Sequence, residues 1–235
     1  MNSGRLCLLL CMLALAGCAA RGTAPEKQSG GISASQLAKS DLDRFAEAHQ
    51  REIFANLRLL AEKLYRRNPA ELKKSSRTTV AAGVARIFDE PHAWSLGELK
   101  GRRGAQAIQL AFQEDFDGDR VLAYVAGVAS MIQTAFQDKT EFFVLDELYP
   151  QNIYNAARNV EIAVWKLSNA RNAKGALYLL SNEVAGPVVN LSFEREFGKI
   201  IGSLDILSKV IADKTNRTVV KMIQSLATAV FLPIK

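Results

Sequence analysis

Cysteine is absent from this sequence after position 18: Cys7, Cys11 and Cys18 are all it has. The rest of the chain can form no disulfide, thiolate nucleophile or cysteine metal site, so its core must suffice without staples. Histidine is almost as scarce, with only His49 and His92. A zinc site needs three or four well-placed ligands, and two distant histidines are poor material for one. Gly-x-Ser-x-Gly, Gly-x-Gly-x-x-Gly and Walker loops are all missing, which removes the local signatures of α/β-hydrolases, dinucleotide enzymes and NTPases. Composition alone leaves a Ser–His–Asp triad open. Period-two alternation and fixed-length repeats are lacking too, which argues against half-buried strands and solenoids.

What is present begins with a leader. Arg5 precedes a wholly apolar run over residues 6–15. A positive n-region before such a run reads as a secretory signal peptide. It is too short for a permanent span, which needs roughly 20 apolar residues. The run closes on Leu15-Ala16-Gly17-Cys18. That tetrapeptide resembles the lipobox of bacterial lipoproteins, an apolar residue and two small ones before the cysteine that receives lipid. The resemblance covers about the first twenty residues. It implies a signal peptide over residues 1–17, lipidation at Cys18 and fatty acyl chains, palmitate among them, holding the mature protein on a membrane. Two or more chains give stable anchoring where one is marginal. Ala19 follows the cysteine instead of Asp, which by the family's sorting rule implies the outer membrane, facing the periplasm.

Arg5 is the one charged side chain in the leader, so a formal net charge of +6 becomes +5 in the mature chain. An excess of Lys and Arg at such an address fits anionic headgroups, wall polymer or an ordinary solvated surface, and no nucleic-acid partner is expected.

Residues 18–39 are small, polar and glycine-rich, and read as a flexible tether. Residues 40–235 read as a single compact all-α domain of several helices. With 49% apolar residues overall, the chain can bury a core. Ser40 or Asp41 caps a helix whose stripe runs Leu42, Phe45, Ala46, His49, Ile53, Leu57, Leu60 and Leu64, and Pro69 stops it. Pro69 opens a second helix. Residues 78–88 form a third, and Ser95-Leu96-Gly97-Glu98 fits a capping box for another. Residues 105–112 are a short helix. Residues 121–136 are apolar on nearly all sides and predict a central helix, with small residues at Ala123, Gly127, Ala126 and Ser130 admitting a close neighbour. Insertion of this stretch into lipid is the alternative. Residues 141–148 are short and apolar. Residues 152–170 and 191–212 are amphipathic helices, residues 175–180 fit helix or strand, and residues 215–230 predict a last helix ended by Pro233.

One cluster suggests a cation. Asp115, Asp117 and Asp119 alternate around Gly118, and alternating carboxylates can wrap Ca²⁺ or Mg²⁺. An EF-hand loop needs glycine sixth and Glu twelfth, whereas counting from Asp115 places Gly118 fourth and Ala126 twelfth. The competing reading makes Asp117 or Asp119 the cap of the central helix, and no metal or other cofactor is assigned. Glu183 and Glu194 are possible lone acids for cell-wall cleavage, though Glu194-Arg195-Glu196 reads more simply as a charged outer face. Gly101-Arg102-Arg103-Gly104 is a basic turn. The sequence therefore points to a non-enzymatic binding or assembly role with an envelope protein partner. A carrier of lipid or another apolar ligand between helices is the alternative, and a cell-wall enzyme comes third.

Overall fold

The computed structural model describes residues 39–75, 78–184, 187–221 and 229–235. The signal peptide, Cys18 and nearly all of the tether lie outside them. Lys39, the last residue assigned to the tether, belongs to the folded body: its Nζ donates to Glu47 at 2.5 Å and sits 5.1 Å above the Phe143 ring.

The body is all-α, with seven α-helices among the described residues. Helix α1 runs Asp41–Arg67. Its start is a reciprocal capping box: Ser40 Oγ accepts from Asp43 N–H, and Asp43 Oδ2 accepts from Ser40 N–H. It stops at Asn68, and α2 (Pro69–Lys74) begins with proline at its first turn, where the missing N–H costs nothing. Helix α3 is Val80–Phe88, capped by Thr79. After it, Ala93 and Trp94 adopt left-handed φ of 46° and 61°. That reversal displaces the capping box expected at Ser95, whose N–H instead donates to His92 O. Only a 3₁₀ turn, Gly97–Leu99, follows, without a side-chain cap.

Helix α4 is Gly104–Leu110, and α5 is Arg120–Ala135. In α5 all but Thr134 is buried, as its apolarity on nearly all sides predicts. Gly127 lets α4 press onto it. A Cβ there would stand 2.7 Å from Ile108 N and 3.0 Å from Gly104 O. Beside it, Ser130 Oγ accepts from Gly104 N–H and donates to Ala126 O. No helix of the described residues is long and apolar enough to cross a membrane.

Residues 141–149 form an irregular loop in which Phe142 is buried and Leu145 exposed. Helix α6 is Pro150–Asn169 and α7 is Ser192–Thr215. Helices α6 and α7 pack together, α7 also packs on α1, and α1 and α6 flank α5. Between α6 and α7 the chain makes two isolated bridges, Arg171 with Leu177 and Glu183 with Asn190, which settles residues 175–180 as neither helix nor full strand.

The helix expected over residues 215–230 is not found where the structure describes it. Helix α7 ends at Asn216, left-handed at φ 51°, a conformation asparagine tolerates. Residues 217–221 and 229–235 are non-helical, and residues 222–228 lie outside the described set.

Candidate functional site

The acidic cluster does not converge. Asp119 is buried and caps α5, its Oδ1 accepting from Leu122 N–H at 2.9 Å and its Oδ2 from the Tyr65 hydroxyl at 2.8 Å. Burial raises its carboxyl from the usual 3.8 to about 6, against the lowering pull of those two hydrogen bonds. Asp115 and Asp117 are exposed. The turn they sit on closes around a cation of its own: the Arg120 guanidinium donates to the carbonyls of Ala111, Gln113 and Phe116 at 2.6–2.8 Å. Among the described residues no group of three or more His, Cys, Asp or Glu is placed to hold a metal.

The histidines are apart in role. His49 on α1 meets Ser203 Oγ of α7 at 3.0 Å and packs against Phe45 with the two rings tilted by 50°. Burial lowers its pKa from 6.5, which favours the neutral ring. A base beside a serine is half of a triad, yet among the described residues no carboxylate bonds the ring's other nitrogen to orient it. His92 is an anchor. Its Nε2 donates to Ile87 O and its Nδ1 accepts from Trp94 N–H, both at 2.9 Å.

Glu183 pairs with Arg67 and Glu194 accepts from Asn182, both at the surface. Glu196 departs from the outer face assigned to it: it is 6% exposed and pairs with Lys199 at 2.8 Å. Its helix turn faces α1, where burial of Lys63 lowers that ammonium's pKa and the Glu196 charge opposes the drop.

Trp94, held by His92, lines a groove of about 650 Å³. Phe54 and Ala55 of α1 and Phe88 of α3 line it, with the Trp94 ring 5.8 Å from Phe54 and edge-on to Phe88 at 6.3 Å. Gln50 and Gln133 close one end, both donating to Lys139 O. Three arginines stand around the apolar floor. Arg58 makes a two-pronged pair with Asp89 and lies over Phe88, and Arg103 pairs with Asp138. Arg51 is different: its side chain is 72% exposed and its ion pair with Glu47 is stretched to 4.0 Å. Glu47 is already engaged. Burial would raise its pKa, but Lys39 and the Phe142 N–H outweigh that and lower it. The lining comes from α1, α3, α5 and two loops, so no contiguous motif announces it. The nearest local signal is Pro91-His92-Ala93-Trp94, the break that follows α3.

Protein-family models, curated proteins and solved structures were all compared with the chain, and none matches.

Proposed function

We propose that this protein is a lipoprotein of the bacterial envelope, held by acyl chains on Cys18 at the periplasmic face of an outer membrane, with a non-enzymatic binding role. Its docking site is the groove at Trp94, and the occupant is a segment of an envelope protein that offers an apolar side chain flanked by carboxylates. One observation carries the reading: an aromatic floor of Phe54, Phe88 and Trp94 lies open beside Arg51, the guanidinium with least carboxylate compensation. Aromatic anchors with arginine at the edge are what energetically dominant contacts are made of. The lipobox resemblance and Ala19 after the cysteine support the address.

The test is a photoreactive side chain at Ala55, in the groove wall, in the native bacterium. The expected product is a crosslink to one envelope protein, lost with Phe54→Asp and weakened with Arg51→Glu. A crosslink to lipid alone would favour the carrier reading instead, and a protein adduct indifferent to both substitutions would remove the groove from consideration. Cys18→Ser tests the address separately: the product is expected to keep its leader and to take up no labelled fatty acid, and a fully processed product still in the membrane fraction would refute the address.

A further inference from the structure

We infer that α6 carries a second binding site, a groove for an extended peptide, which residues 229–235 of the chain occupy in cis. Asn152, Asn155 and Asn159 stand at positions i, i+3 and i+7, on one face of α6. All three are buried, at 7%, 6% and 1% exposure. They do not bond to one another or to the core; they read the backbone of that segment. Asn159 donates to Leu232 O at 2.8 Å and accepts from Leu232 N–H at 2.6 Å. Asn152 does the same with Lys235, at 2.5 Å and 3.3 Å. Asn155 donates to Pro233 O at 2.8 Å. Proline has no N–H to give in return, and Asn155 Oδ1 accepts from Gln151 instead.

The spacing fits an extended occupant. From Asn152 to Asn159 the helix rises about 10.5 Å. From Lys235 to Leu232 an extended chain covers about 10 Å in the opposite direction. Paired donor and acceptor on two of the three amides, Asn152 and Asn159, is the bonding a neighbouring strand would supply, and it asks nothing of the occupant's side chains. Selectivity comes from Phe231 and Ile234, which pack against the core. The strap leaves room. A cleft of about 310 Å³ remains between it, Met131, Thr134 and Arg103, and Arg103 Nε, buried nearby, has no hydrogen-bond partner. The ligand class is thus an extended peptide with an aromatic residue and, three positions on, an aliphatic one. The segment 229–235 acts as its intramolecular competitor. This site does not depend on the reading of the Trp94 groove, although Arg103 borders both.

The experiment uses the full chain carrying Phe231→Ser and Ile234→Ser, which removes the strap's apolar holds but keeps every asparagine. The probe is a fluorescent synthetic peptide with the sequence of residues 229–235, followed by polarisation. The altered chain is expected to bind it at least tenfold more tightly than the unaltered chain, where the linked strap competes at high effective concentration. Adding Asn155→Leu and Asn159→Leu is expected to abolish binding. Equal binding by altered and unaltered chains, no binding by an altered chain that circular dichroism shows folded, or binding that survives the leucines overturns the inference. Should the altered chain fail to fold, hydrogen exchange on the unaltered chain decides. The Leu232 and Lys235 amides are expected to exchange at least tenfold faster than those of residues 156–163, because the strap opens by itself. Equal rates would make it an integral part of the core and overturn the proposal.

Discussion

The Tyr65 hydroxyl of α1 donates to Asp119 Oδ2 at 2.8 Å, tying the longest helix to the cap of the most buried one. The carboxyl at that junction is raised to about 6 by burial. Between the usual 3.8 and that value the folded state keeps a proton that the unfolded chain has released. Stability from this group is therefore present at low pH and falls as pH rises through the window. Asp119→Asn still caps a helix and does not titrate. Urea unfolding from pH 4 to pH 7 is expected to show the variant gaining on the parent by up to about 3 kcal/mol. A constant difference across that range would refute the assignment.

Gly127→Ala is the small substitution expected to do the most harm. Its methyl would meet backbone at 2.7 Å and 3.0 Å, and backbone cannot step aside as a side chain can. A loss of roughly 1–3 kcal/mol in denaturant unfolding is expected, as for overpacked cores. Gly83→Ala meets only the side chains of Leu72 and Tyr65 and is expected to cost less.

Tyr124 is fully enclosed in α5 among Phe112 and Phe197, and its hydroxyl has no partner. Removing an unsatisfied buried group takes away a desolvation cost of about 1–3 kcal/mol while leaving the ring in place. Tyr124→Phe is expected to leave the melting temperature unchanged or raise it. A clear drop would contradict this account of the hydroxyl.

His92→Ala removes both hydrogen bonds that seat Trp94. With Trp165→Phe as background, Trp94 emission is expected to shift to longer wavelength as its ring leaves Phe54. Unchanged emission would mean that aromatic packing alone holds the floor of the groove.

The helices that could be read in advance are those whose causes are local. Ser40 and Asp43 cap α1 within four residues, Pro69 divides α1 from α2, and α5 is apolar enough to need no face. The failures lie where an unusual backbone turn or a distant partner overrides the local letters. Ser95 carries the letters of a capping box, but left-handed Ala93 and Trp94 turn the chain away before it can act. Residues 217–221 leave the helical path, and the Val220 backbone N–H and C=O bond to the Gln151 side chain, sixty-nine positions back. Residues 229–235 likewise depend on Asn152, Asn155 and Asn159. A sequence signal for the strap did exist: three asparagines among the apolar residues on the buried face of an amphipathic helix need partners from somewhere. The Trp94 groove gave no such signal, since its walls meet only after α1, α3 and α5 have packed.

Helix α5 owes its place to having no polar side, and the same property governs the chain before it folds. Spread out in water, residues 121–132 are a continuous sticky run without a single charge. Until α1, α4 and α6 close around it, another copy of the run is as good a neighbour as they are. Refolding from denaturant is therefore expected to lose yield to aggregation as concentration rises, and a charge placed in α5 to prevent that would forfeit the fold.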